Sequence, residues 1–338
     1  MVIFFTLPPS GVPWPWVLVN QFNIDTTSRY IVWTGSKGRF EIRTDSLGWR
    51  YLTENIKYVE LVLLDSGVEK LFKRQNPPTD YPPEYERLWW SNVQRLTRIL
   101  GKDRVWVTIP DYPDDYVEVW GKPHALWVDG KDNIERTVEN IVHYWDRYCT
   151  RYELRCVVPI QGHYEAPESI RRSIKMLSDY GILMEAEILG IANLCTTRKA
   201  TVIVKTVRIA RALLPDKWLH VFGPSLRAVR ELITHVNSFD SAVPRSFSWL
   251  WLSTTGIPIE EAKKMRRTDI AIQWFVQYIR KLIGIANSFD TTAHTFPRKA
   301  HGWSCKSVDE CVQYFIDYLK TFVEHRPRAL KTLYDYKR

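Results

Sequence analysis

The stretch VELVLLD, residues 59–65, is an almost unbroken apolar run that ends on an aspartate. A short run of this kind fits a strand buried on both faces of a parallel sheet, because a half-exposed strand would alternate polar and apolar residues. The same form returns as VWVTIPD (105–111), CVVPIQ (156–161), LMEAEILG (183–190), WLHVFG (218–223) and VNSFD (236–240), and it is preceded by VIFFTL (2–7) and WVLVN (16–20). Longer amphipathic stretches separate these runs, at 84–100, 132–148, 169–180, 198–213 and 225–235. Leu226, Val229, Leu232 and Ile233 mark the apolar face of the last. Alternation of this kind predicts an α/β fold, a (β/α)8 TIM-type barrel of parallel strands joined by crossover helices.

Two features decorate that barrel. YIVWTG and FEIRTD, within residues 30–45, predict an inserted N-terminal hairpin. Beyond Asp240, extra C-terminal helices are expected over about 259–283 and 308–324, the second opening on the capping pair Ser307 and Glu310. With no glycine-rich linker and no low-complexity tract, residues 1–338 read as a single domain whose core motifs span about 59–242.

Of the residues, 45% are hydrophobic and 13% aromatic, enough for a sizeable core. The 47 Lys and Arg against 38 Asp and Glu leave a formal charge of +9, which suits a polyanionic partner without requiring one. Five cysteines (149, 156, 195, 305 and 311), odd in number and irregularly spaced, predict reduced thiols in a cytoplasmic protein and no disulfide framework. The N-terminal MVIFFTLPPSGVPWPWVLV is apolar, but it has no basic start and is broken by four prolines, so neither a signal peptide nor a membrane span is expected.

The candidate chemistry lies where the runs stop. Six of them finish on Asp65, Asp111, Gln161, Gly190, Gly223 and Asp240. In a β/α barrel such strand ends converge on one face, where side chains from different strands meet without disturbing the packed interior. Singly, each is also the residue that a turn or a helix N-cap collects. NSFD occurs twice, at Asn237–Asp240 and Asn287–Asp290; only the first closes an apolar run, and the second is expected to be a helix-terminating loop.

Taken in order, these segments resemble the tRNA-guanine transglycosylase superfamily. LLDSG (63–67) is similar to the family's aspartate-serine-glycine motif. TIPD (108–111) is similar to its second aspartate segment, and VVPIQG (157–162) to its valine-glutamine-glycine strand. EILGIANLC (187–195) stands where the family has a glycine-rich base-binding turn, although Ala192 replaces the second glycine. LHVFG (219–223) and SFDSA (238–242) resemble motifs of the archaeal members. The cysteine after the glycine turn and the tryptophan after the aspartate-serine pair resemble more closely the compact DpdA-like branch, which places 7-deazaguanine bases in DNA.

The resemblance implies base exchange through an oxocarbenium-like state between two carboxylates, as in retaining glycoside chemistry. Asp240 is then the nucleophile that forms a covalent glycosyl intermediate, and Asp65 the general acid/base. Asp111 would accept from the N1–H and exocyclic amine of guanine, and Gln161 would donate to its O6. Ser66 and Gly162 belong to the same substrate-binding motifs, and Gly190 would let the backbone approach the base. The expected partners are DNA, favoured narrowly over tRNA, and guanine or a 7-deazaguanine base, with a homodimer compatible. No cofactor is expected. No metal is expected either, since His301, Cys305 and Cys311 lack the family's zinc spacing.

Other readings stay open from the residues alone: a non-catalytic nucleic-acid-binding barrel, and a barrel glycosidase that uses Asp65 and Asp240. His220 reads as a packed strand histidine, and Asp114 and Asp115 as solvated loop charges. Most of the fifteen tryptophans, Trp89, Trp90, Trp249 and Trp251 among them, read as core, with one available to stack a base. KKMRR (263–267), Arg280, Lys281 and the basic tail read equally as phosphate contacts or as a solvated helix face.

Overall fold

The computed structural model describes residues 2–6, 8, 14–26, 30–35, 38–72, 80–113, 130–197 and 199–241, together with Phe275 and Tyr278. The expected helices at 308–324 and over most of 259–283, the second NSFD, the basic segments, Asp114, Asp115, Trp249, Trp251, His301, Cys305 and Cys311 lie outside the described residues.

In chain order the elements are β1 (Val2–Thr6), β2 (Trp16–Asn20), β3 (Tyr30–Gly35), β4 (Gly38–Arg43), α1 (Leu47–Asn55), β5 (Leu61–Asp65), α2 (Val68–Phe72), α3 (Pro83–Leu100) and β6 (Val105–Thr108). They continue as α4 (Asn133–Tyr144), β7 (Arg155–Ile160), α5 (Ile170–Asp179), α6 (Ile182–Glu185), β8 (Ile188–Ile191), α7 (Ala200–Leu213), β9 (Trp218–Val221), α8 (Leu226–Leu232) and β10 (Ser238–Ser241). Eight strands close a parallel barrel in the order β1-β10-β9-β8-β7-β6-β5-β2, and β3 and β4 pair apart from it as an antiparallel hairpin. This is the expected TIM-type barrel with its inserted hairpin. Among the described residues no helix is long and apolar enough to cross a membrane.

The local reasons are visible in the sequence. β6 and β8 are buried at every position, which is why they read as continuous apolar runs. Helix α3 has proline in its first turn beside Glu84 and Glu86, where the helix dipole favours acids, and buries Tyr85, Trp89, Val93, Leu96 and Leu100 along one face. It stops at Gly101, whose φ of 85° suits glycine. Helix α4 opens on a full capping box, Asp132 accepting from the Glu135 amide while Glu135 accepts from the Asp132 amide.

Inside the barrel, Phe4 of β1 meets Trp106 of β6 at 5.5 Å and His220 of β9 at 5.7 Å, and Trp106 meets Trp218 at 5.3 Å. These rings fill the interior below the site. At the opposite end from the site, Arg211 donates to the carbonyls of Leu214, Pro215, Lys217 and His235 and to Asn237 Oδ1, tying α7 to the loops that enter β9 and β10. Phe275 and Tyr278 cover β1 from outside, 5.0 and 6.0 Å from Phe5.

Two expectations are corrected. LMEAEILG is not all strand: after Gly181, at φ 75°, Ile182–Glu185 forms a helical turn, and the strand begins at Ile188. Cys149 and Cys156 are not reduced thiols but form a disulfide. Helix α4 runs on into a π-helical turn, Trp145–Thr150. The chain then reverses at Glu153, at φ 52°, with the Leu154 amide bonded to the Cys149 carbonyl. That reversal brings the two Cα atoms to 6.0 Å, a separation that sequence spacing does not reveal.

Candidate active site

Parallel strands place all their C-terminal ends on one rim, and that rim gathers the residues singled out from the sequence. Asp65 closes β5, and Asp111 and Gln161 follow β6 and β7. Gly190 lies in β8, Phe222 and Gly223 follow β9, and Asp240 lies in β10.

Asp65 is held from two sides. Asn20, its register partner on β2, donates from Nδ2 to Asp65 Oδ2 at 2.9 Å, while Asn20 Oδ1 accepts from the Phe22 amide at 3.0 Å. The Gly67 amide also donates to Asp65. Burial, reinforced by the charge of Asp240, nevertheless pushes the Asp65 carboxyl up to about 7 from 3.8. Gly67 has φ 70°, and a Cβ there would sit 2.7 Å from Asn20 Oδ1, so the DSG turn needs glycine for both its backbone and its space. Ser66 is buried, and its carbonyl accepts from Gln21 Nε2 at 2.5 Å and from the Tyr85 hydroxyl at 2.6 Å.

Asp240 is 8% exposed and is held differently. Its Oδ1 accepts from the Gly223 amide at 2.9 Å, and His220 Nε2 lies 3.4 Å from the same oxygen, near enough to interact but not aligned as a hydrogen bond. Behind it, His220 Nδ1 is 2.9 Å from Ser238 Oγ, which accepts from Trp218 Nε1 at 2.9 Å. The two carboxyl groups therefore share one rim, near enough for the charge of Asp240 to act on Asp65, in contrasting environments.

The neighbouring strands bring Asp111 and Gln161 to the same rim. Asp111 is buried beside Tyr81, whose hydroxyl donates to the Asp111 carbonyl, and burial together with nearby charge keeps the Tyr81 and Tyr85 phenols protonated. Gln161 is wholly buried, yet neither its Oε1 nor its Nε2 finds a hydrogen-bond partner among the described residues. A buried amide without protein partners costs about 1–3 kcal/mol unless water or a ligand satisfies it, so Gln161 brings one donor and one acceptor to the rim for such a partner. The carbonyl of Gly162, next in the chain, is already taken by Asn133 Nδ2 at 3.0 Å and Asn193 Nδ2 at 2.9 Å.

Gly190 has a reason that the sequence did not show. A Cβ there would lie 2.5 Å from Phe222 Cε2 and 3.0 Å from Val157 Cγ1, so the glycine makes room for the Phe222 ring. Phe222 stands half-buried at the rim, 4.7 Å from the His220 ring. Ala192, at the departure from the family's glycine pattern, is buried, and its amide bonds to the Ile160 carbonyl. Sequence reading passed over Asn20, Phe222 and Ser238. Asn20 was detectable, since WVLVN also stops on a polar residue at a strand end, whereas Ser238 is recognisable only once β9 and β10 are seen side by side.

The arrangement offers a carboxyl that carries a proton near neutrality, a second carboxyl with one oxygen fixed, and a buried amide without a protein partner among the described residues. No family model matches the chain, and no curated protein matches it.

Proposed function

We propose that the protein is a guanine transglycosylase acting on nucleic acid, with DNA favoured over tRNA, which exchanges guanine for a 7-deazaguanine base. The observation that carries this reading is the contrast between the two rim carboxylates: Asp65 is pushed up to about 7 by burial and by Asp240, while Asp240 has one oxygen anchored by Gly223. A carboxyl that keeps its proton, near a second one whose Oδ1 is fixed, supplies an acid and a nucleophile on one rim. Asp240 attacks C1′ as the bond from C1′ to the guanine nitrogen breaks, and Asp65 gives its proton to the departing base. The incoming base then loses a proton to Asp65, and its nitrogen attacks C1′ and releases Asp240, returning both carboxyls to their starting states. Gln161 and Asp111 read the polar edge of the base, and the Phe222 ring offers a face to its plane. A base within a duplex would be flipped out of the stack to reach this mouth.

Purified protein incubated with a labelled 7-deazaguanine base and either guanine-containing DNA or tRNA tests the reading. Label is expected in DNA, with none incorporated by Asp240→Asn and a covalent protein–DNA species trapped on a denaturing gel. Binding without incorporation into either polymer would sink the enzyme reading in favour of a non-catalytic binder. Release of free sugar without exchange would identify a glycosidase.

A further inference from the structure

His220 and Ser238 have no part in the exchange as described above, yet both are wholly buried directly behind Asp240. Ser238 Oγ accepts the indole N–H of Trp218 at 2.9 Å. A hydroxyl has one proton of its own to give, and the nearest recipient is His220 Nδ1 at 2.9 Å. With Nδ1 accepting, the single proton of a neutral imidazole stands on Nε2, the atom that faces Asp240 Oδ1 at 3.4 Å. Neighbouring rings fix the imidazole plane: Phe4 lies edge-on at 5.7 Å and Phe222 at 4.7 Å. The Gly223 amide already donates to the same Oδ1 at 2.9 Å, and among the described residues no hydrogen bond reaches Asp240 Oδ2.

We propose that His220 is a positioning residue: locked by Trp218 and Ser238 with its proton on Nε2, it joins the Gly223 amide in holding Asp240 Oδ1 and so dedicates Oδ2 to attack. This rests on the reading of Asp240 as nucleophile. Once Oδ2 is bonded to C1′, Oδ1 is the carbonyl oxygen of the glycosyl ester, and the Gly223 amide and His220 Nε2–H stabilise it there as well. The 3.4 Å contact is expected to tighten when the substrate is bound, as catalytic hydrogen bonds commonly do. The histidine moves no proton in this scheme. Its contribution is to orient the carboxylate.

Nitrogen NMR of the full chain labelled at histidine tests the arrangement, with His220→Gln identifying the signals of that ring. An Nε2–H tautomer is expected, with Ser238→Ala and Asp240→Asn each shifting its resonances; an Nδ1–H tautomer, or indifference to both variants, overturns the proposal. In exchange assays His220→Gln, which keeps an N–H near the Nε2 position, is expected to stay within about 10-fold of the wild-type kcat. His220→Phe is expected to lose about 100-fold in kcat with an unchanged KM for the base, the scale of loss that misplacing a reacting group brings. Melting temperatures show that both variants fold, and equal kcat in the two overturns the proposal. Failure of the wild-type protein to exchange bases would refute the transglycosylase reading, while the NMR resonances would still decide whether His220 is locked with its proton on Nε2.

Discussion

At the scale of the residue, Asp65 and Gln161 each hold an unfavourable state that a bystander would have lost. The raised affinity of Asp65 for its proton means that the folded protein keeps a proton which the unfolded chain releases. Its ionisation therefore erodes stability as pH rises from about 4 to about 7. Asp65→Asn should stabilise the protein above pH 7, on the order of 2–4 kcal/mol, with the difference vanishing below pH 4, while abolishing base exchange. Urea unfolding of both proteins at pH 4 and pH 8 checks the sign. For Gln161→Leu, replacing an unpartnered buried amide with an apolar side chain of similar size should raise stability by about 1–3 kcal/mol and remove binding of guanine. Calorimetric melting and titration with the base read both effects, and a Gln161→Leu protein less stable than wild type would show that the amide is satisfied. Asp65, Asp111, Gln161 and Asp240 were legible because a barrel obliges strand ends to share a rim. The reason for Gly190 was not, because the ring that fills the space of its missing Cβ comes from Phe222, just beyond the neighbouring strand.

At the scale of the element, the barrel strands were readable because burial on both faces leaves few polar positions to confuse the pattern. The stretch 183–190 misled because a helical turn, Ile182–Glu185, precedes β8 within one largely apolar run. The bonded Cys149 and Cys156 were hidden by a different feature, the π-helical turn that prolongs α4 and turns its last residues toward the start of β7. Seven positions separate the two cysteines, so the bond closes a short loop and restricts the unfolded chain modestly, by about 2 kcal/mol. Reduction should lower the urea midpoint accordingly, and Cys149→Ala should be insensitive to reductant. The bond joins elements at the strand entries, away from the rim, so base exchange at low urea should be unchanged by reduction.

At the scale of the whole molecule, a formal charge of +9 suits the polyanionic substrate proposed above. Affinity for DNA should therefore fall at least about 10-fold between 50 and 200 mM salt, as expected when even two or three phosphates are neutralised, while affinity for the free base should stay level. Fluorescence anisotropy with a labelled oligonucleotide measures the first, and calorimetry the second. The closure of the barrel was legible as a count of eight strands, but its seam was not. The first strand of the chain bonds to the last of the barrel, Val2 opposite Ser238 and Phe4 opposite Asp240. A contact between residues so distant in sequence forms late, because the long loop must be closed before any pairing repays the lost entropy. Asp240 consequently takes its place opposite Phe4 only when the two ends of the barrel meet. Under the proposed mechanism, a growing chain on the ribosome is therefore silent until Ser241 has emerged and β10 can pair with β1.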